Sequence, residues 1–295
     1  LNRITVPERP GAYRWYYVDA TAGDFTAVCI FMIGSLFSPR YAVTHRRGAA
    51  PRAHAAVNFA LYQRGSRRAW VLSEYSDLAA DERALRIGRS TLRYSGERGL
   101  EVELDERLAP CGGRFRARLE LESHAPPLAP LTLVEGKSHQ WHPIAPRSTA
   151  KLSVPQLGLE VARAHAYHDG NHGDVLLGTD LPGWDWRRTY DPQRTVIDYR
   201  PWGSEQGWRV IVQPSLSIVG QSPVKDLERR KTRWGLKIPT PKQGAKLLES
   251  SPFYARLEAT TAATHELGEV ADFARFRKPW IRWMAHLRTR VERAA

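Results

Sequence analysis

Thr91-Leu92-Arg93-Tyr94-Ser95-Gly96-Glu97-Arg98-Gly99-Leu100-Glu101-Val102-Glu103-Leu104-Asp105 spells a β-hairpin in residue types alone. Leu100, Val102 and Leu104 alternate with Glu101, Glu103 and Asp105, the period of two that gives a strand one dry and one wet face. Ser95-Gly96-Glu97-Arg98 supplies the turn between the two runs. Phe115, Ala117, Leu119 and Leu121 then repeat the alternation against arginine and glutamate. Upstream, 27–37 is a continuous apolar run bounded by Gly23-Asp24 and Ser38-Pro39. Runs 56–62 and 68–75 are separated by Arg64-Gly65-Ser66. Turns every eight to twelve residues or so predict antiparallel strands in series, and hence a barrel or sandwich.

The second half continues the pattern, with candidate strands at 159–167, 184–190, 195–199, 208–212, 216–219, 233–238 and 252–260. Proline-rich 125–130 and the polar stretch 143–155 predict a boundary near 147–155, dividing the chain into domains 1–150 and 151–295. The end changes character. Across 278–294, Ile281, Met284, Leu287 and Val291 recur at three- and four-residue steps, one face of a helix. Between 271 and 295, seven Arg or Lys stand against two acids. The bland reading is a terminal helix with a solvated basic face; the sharper one puts that face, with Trp280 and Trp283, on anionic lipid.

Composition narrows the classes. The 295 residues are 42% hydrophobic and 25% charged, ordinary for a globular protein, but the formal charge is +13. Such a field favours polyanions, nucleic acid or anionic lipid headgroups. Zinc-finger spacing, RNP-like aromatic pairs and helix-turn-helix patterns are missing from the sequence, so no nucleic-acid partner is expected and an anionic membrane surface is. Cys29 and Cys111 make neither a disulfide framework nor a zinc motif, which points to a reducing, cytoplasmic compartment. The longest apolar run has about half of the ~20 residues that a spanning helix needs, and 1–10 lacks the apolar core of a signal peptide. The expectation is a soluble protein, or one peripheral on the inner, photosynthetic membrane.

No nucleotide loop, G-x-S-x-G elbow or His-Glu-x-x-His motif occurs, so no cofactor is expected and side chains must carry any reaction. Two segments concentrate candidate chemistry. Residues 164–174, Ala-His-Ala-Tyr-His-Asp-Gly-Asn-His-Gly-Asp, hold three histidines and two aspartates. A helix would align His165, Asp169 and His172 as metal ligands, but Gly170, Asn171 and Gly173 argue against a helix, so no metal is expected. A plain turn with solvated histidines is the alternative. Residues 139–146, His-Gln-Trp-His-Pro-Ile-Ala-Pro, read as a fixed loop at a strand end, with a tryptophan capping the core beside a hydrogen-bonded histidine.

Taken together, these blocks resemble the carotenoid 1,2-hydratase (hydroxyneurosporene synthase) family nearly end to end. Gly11 to Ala20 is similar to its opening aromatic strand, and Gly34-Ser35-Leu36-Phe37-Ser38-Pro39 to its Gly-Ser-x-Phe-Ser-Pro turn. The block from His54 to Tyr62, His139-Gln140-Trp141, Pro143-Ile144-Ala145-Pro146 and Tyr167-His168-Asp169-Gly170-Asn171-His172-Gly173 follow in order. Trp184-Asp185-Trp186, Arg233-Trp234-Gly235 and Pro252-Phe253-Tyr254-Ala255-Arg256 complete the series. The resemblance implies two lipocalin-like antiparallel β-barrel domains, an apolar pocket, and hydration of the terminal C1=C2 bond of an acyclic carotenoid such as neurosporene or lycopene. It carries acid–base roles onto His139, Trp141, Tyr167 and Asp169. The family pattern has tryptophan where this chain has His142 and His172, which opens the choice of substrate.

The chemistry suits those residue types. An unactivated trisubstituted alkene has no carbonyl to polarise, so hydration starts with a proton delivered to carbon and leaves a tertiary cation for water to capture. A carboxyl in an apolar pocket is kept neutral by the cost of burying its charge. Asp169 is the expected donor, with Asp174 its nearest rival. Trp141 and Tyr167 supply electron-rich faces to the cation, worth about 2 kcal/mol each when desolvated. His139 is expected to position water or return the proton, and Asn171 to orient Asp169. His142, Asn171, His172, Trp184 and Trp186 are the expected substrate contacts. Two other outcomes fit the scaffold: a terpenoid or polyketide cyclase (cationic or pericyclic), and an apolar-ligand carrier with no need of a buried acid.

Overall fold

The computed structural model describes residues 3–35, 37–109, 111–214, 216–223, 227–241 and 243–292. Leu36 and residues 293–294, used above, lie outside them. Ser90–Ser95 and Gly99–Arg107 pair antiparallel, Leu92 opposite Val102, with the alternate leucines and valine buried and Glu103 exposed.

In chain order the early strands are β1 (Tyr13–Ala22), β2 (Phe25–Ile33), β3 (Ala55–Gln63), β4 (Ser66–Tyr75), β5 (Leu78–Ala80) and β6 (Ala84–Ile87). Then come β7 (Ser90–Ser95), β8 (Gly99–Arg107), β9 (Arg114–Ser123), β10 (Leu131–Thr132), β11 (Gln140–Val154) and β12 (Leu159–Gly173). The later strands are β13 (Gly183–Tyr190), β14 (Thr195–Pro201), β15 (Gln206–Val212), β16 (Ser217–Pro223), β17 (Arg229–Lys231) and β18 (Lys237–Pro239). The last are β19 (Lys246–Ser250), β20 (Tyr254–Thr260), β21 (His265–Asp272) and β22 (Arg290–Glu292). Three α-helices join them: α1 (Tyr41–Thr44), α2 (Phe273–Phe276) and α3 (Pro279–Arg288). The 27–37 run ends as a strand at Ile33, because Gly34 turns the chain at φ +64° where a Cβ would strike the Ala12 carbonyl. The expected strand 233–238 is instead mostly the turn between β17 and β18, where Gly235 sits at φ +75°.

Two units result. The first comprises Leu1–Pro130, Gln140–Leu176 and Trp283–Ala295; the second comprises Leu131–His139 and Leu177–Arg282. The division is not a single cut in the chain. Residues 140–176 belong to the first unit because β12 pairs with β1 on one side and β11 on the other.

In the first unit the strands run β4-β3-β2-β1-β12-β11-β9-β8-β7-β6-β5 across one sheet. The sheet curls on itself: Phe59 of β3 packs on Phe115 of β9, ring centroids 5.5 Å apart, although four strands separate β3 from β9. Its interior is mostly apolar, with Val18, Phe31, Val57, Leu85, Leu92, Val102 and Leu119 among the buried side chains. The second unit's sheet runs β16-β15-β14-β13-β21-β20-β19, with the β17–β18 ribbon apart. One of its apolar clusters is small, Leu236, Ile238, Ala255 and Val270. Buried ion pairs accompany it: Arg256, almost wholly buried, binds Glu269 at 2.9 Å and Glu249 at 3.3 Å.

The terminal helix is shorter than its pattern. α3 stops at Arg288, and Thr289 turns back on it, its Oγ1 donating to the Ala285 carbonyl at 2.9 Å. Val291 lies in β22, parallel to β4 with Val291 opposite Glu74, so it is not on the helical face. Ile281 is buried and Leu287 is exposed. Pairing with the edge of β4 outweighs one more helical turn at a β-branched residue. Among the described residues, no helix is long and apolar enough to cross a membrane.

Candidate active site

The 164–174 segment forms neither a turn nor a helix but the end of β12. Side chains therefore alternate: Tyr167, Asp169 and Asn171 leave one face, Ala166, His168 and Gly170 the other. The β1 register places Asp19, Tyr17 and Trp15 opposite Tyr167, Asp169 and Asn171, and β11 places Trp141 opposite Asn171. Val18, Ala20, Ala164 and Ala166 belong to the barrel-interior cluster. The acid thus projects from the sheet face opposite that interior. Both faces are buried here, which is why β1 and β2 read as nearly unbroken apolar runs.

On the acid's face two side chains close on one oxygen of Asp169. Tyr167 Oη donates to Asp169 Oδ2 at 2.6 Å, and Trp141 Nε1 donates to the same oxygen at 2.8 Å. Trp141 Nε1 also reaches Tyr167 Oη at 3.2 Å. Trp141 and Tyr167 are fully buried and Asp169 is 3% exposed. Burial first, and then the charge of Asp169, push the Tyr167 hydroxyl well above its ordinary range, so it stays a neutral donor. Tyr17 meets the Tyr167 ring edge-on, centroids 6.1 Å apart.

On the opposite face, His168 Nδ1 donates to the Tyr17 carbonyl at 2.8 Å, which leaves Nε2 to accept from Tyr94 Oη at 2.9 Å. Burial lowers the His168 pKa to about 4, so the ring is neutral at pH 7. His142, opposite Gly170, shares this face and is also lowered to about 4, by burial and then by the Arg14 charge. His172, half-buried and opposite Arg14 at the strand end, lies on it too. Asp174 is exposed.

The structure therefore brings together Trp141, Tyr167 and Asp169, with Asn171 on their face, and turns His142 and His172 to the other. Three expected residues belong to the second unit. His139 is fully buried and paired through Nε2 with Asp180. Trp184 packs in that unit against Phe273 (4.9 Å) and Tyr199 (6.0 Å), and Trp186 is buried beside Glu269 in the register of β13 and β21. Trp15, Tyr17 and Asp19 were missed as site residues. Their strand reads as a nearly unbroken apolar run, and nothing local told which strand would lie beside them. Among the described residues, no group of three or more His, Cys, Asp or Glu is placed to hold a metal ion.

Residues 29–295 match the family described as carotenoid hydratase CrtC. An acyclic carotenoid 1,2-hydratase of Thiocapsa roseopersicina is 35% identical over 195 residues, 64% of this chain and 47% of that protein. The acyclic carotenoid 1,2-hydratase of Rubrivivax gelatinosus is 32% identical across 86% of this chain and 66% of its own length. That of Cereibacter sphaeroides is 29% identical across 90% and 97%. The chain thus spans about half the length of the Thiocapsa relative. Among solved structures, NE1406 of Nitrosomonas europaea gives a TM-score of 0.56 at 10% identity, covering 88% of this chain and 92% of that one. CghA gives 0.52 at 10% identity, covering 89% and 88%. At such identities the likeness is one of fold, and the fold is lipocalin-like.

Proposed function

The chain belongs to the carotenoid hydratase family, and from that membership we propose that it is a hydro-lyase adding water to the terminal C1=C2 bond of an acyclic carotenoid, with Asp169 as proton donor. The observation that carries the reading is a buried carboxyl whose Oδ2 accepts from two uncharged donors, Tyr167 and Trp141. In the reaction the alkene π pair takes the carboxyl proton, forming a C–H bond at C2 and a tertiary cation at C1. The carboxylate left behind is stabilised by the Tyr167 and Trp141 hydrogen bonds already in place, with no reorganisation at the moment of transfer. The faces of the same two rings, with that of Tyr17 beside them, attract the cation, each by about 2 kcal/mol in a dry site. Water adds to C1, and its surplus proton returns to the carboxylate, restoring the acid. A positioned general acid contributes about 10²- to 10⁴-fold to such a step.

The test is anaerobic incubation of the purified protein with lycopene or neurosporene dispersed in lipid, in heavy-oxygen water, read by mass spectrometry. The expected product is heavier by one labelled water and is absent with Asp169→Asn. Unchanged carotenoid from well-folded protein would overturn the substrate assignment and favour cyclisation of a shorter terpenoid. Ligand binding with no turnover in either protein would favour a carrier.

A further inference from the structure

Three large apolar side chains of α3 face solvent: Trp280 is 48% exposed, Trp283 64% and Leu287 58%. Their spacing of three and four confines them to an arc of about 60° on the helix. Ile281 and Ala285, across the helix, are the residues that it buries. With Arg282 and Met284 half-buried beside them, packing of the helix makes little use of the two tryptophans and the leucine. The helix's own charge has one sign: Pro279–Arg288 contains no acid, and exposed Arg277 and Lys278 precede it while exposed Arg288 ends it.

We propose that α3 is a docking element for an anionic lipid surface. Trp280, Trp283 and Leu287 enter the boundary between headgroups and acyl chains, the helix lying in the membrane plane, while Arg277, Lys278 and Arg288 engage lipid phosphates. Charge complementarity selects this occupant. A helix free of acids with basic residues at both ends repels a second copy of itself, and a chain of net charge +13 is drawn to an anionic surface. Tryptophan, apolar in its rings and polar at its N–H, suits that boundary. The inference stands on the helix and is independent of the chemistry proposed for Asp169.

The experiment is co-sedimentation of the full chain with vesicles of phosphatidylcholine alone and of equal phosphatidylcholine and phosphatidylglycerol, with no carotenoid present. Binding to the anionic vesicles is expected to exceed that to neutral ones by about tenfold or more, and to fall steeply at about 0.5 M salt. The triple variant Trp280→Ser, Trp283→Ser, Leu287→Ser should lose about tenfold or more in binding at an unchanged thermal midpoint. Arg277→Glu with Lys278→Glu and Arg288→Glu should abolish the preference for anionic lipid. Equal binding to both vesicle types, or unaltered binding by both variants, would overturn the proposal. So would a wild-type dimer that ignores vesicles and is broken by the triple variant, which would make the stripe a contact between copies.

Discussion

Asp169 in the first unit and Asp198 in the second are both nearly buried carboxylates on interior strands, yet their partners differ in kind. Asp169 accepts from a phenol and an indole, neither charged. Asp198 is gripped by guanidinium groups, Arg209 at 2.7 and 3.2 Å and Arg187 at 2.9 Å. Burial pushes the Asp198 carboxyl up, but the two arginines outweigh it and hold the group below its ordinary range. It has no proton to give near neutral pH. The contrast extends to the surroundings. Around the barrel of the first unit, apolar packing supplies the cohesion. In the second unit the sheet carries a network in which Asp185, Asp198 and Glu269 are each committed to an arginine. An acid held by arginines keeps its charge at neutral pH.

That contrast breaks most visibly at the two aspartates themselves. Asp169→Asn is expected to cost about 10²- to 10⁴-fold in hydration rate at an unchanged fold, whereas Asp198→Asn leaves the rate alone and lowers the thermal midpoint. Equal rate losses would mean that the ion-paired aspartate shares in the chemistry.

Next in size is the ionic network. Arg256→Met strands Glu269 and Glu249 beside an apolar group and should cost about 3 kcal/mol in urea unfolding. A neutral or stabilising result would show that packing governs the second unit as well.

The histidines of the first unit sharpen the comparison through pH. His168 and His142 bind protons more weakly folded, at about 4, than unfolded, at 6.5. Below pH 6.5 the unfolded chain therefore holds more protons, and stability falls as pH drops toward 4. Each histidine should remove about 2 kcal/mol between pH 7 and pH 5, and His168→Asn should roughly halve that slope. Denaturant titrations at the two pH values measure it; a slope unaltered by the substitution would assign the acid sensitivity elsewhere.

The smallest expected effect is at a single donor. Tyr167→Phe leaves Trp141 on Asp169 Oδ2 and should slow turnover about tenfold, an effect of about 1.5 kcal/mol. A loss as large as that of Asp169→Asn would make Tyr167 a proton carrier and not a support.

How much was legible follows from range. β7, β8 and β9 have one wet face, so alternation revealed both the strand and its orientation. β1, β2 and the end of β12 are buried on both faces, so apolarity revealed β2, and the resemblance β1, but not which side chains lay together. The glycines of 164–174 looked like a turn; Gly170 instead lies within β12, where a Cβ would stand 3.3 Å from the Trp15 carbonyl, so the residue permits close approach of β1. Trp141, Tyr167 and Asp169 could be named together through the resemblance, but not assembled from local pattern. Val291 kept helical spacing by coincidence and was claimed by β4.

Asp169 was named through the resemblance; sequence by itself determined that this protein is built of antiparallel strands and that its last helix is basic and aromatic. These are properties of neighbours along the chain, where period, turn residues and charge act within a few positions. Tertiary structure alone decided that Tyr17 and Trp141 flank that acid, that it faces away from the barrel interior, and that Trp280, Trp283 and Leu287 stand in solvent. Those outcomes depend on register and curvature, set by strands far apart in sequence, and a shift of one residue in either would turn every side chain to the other face.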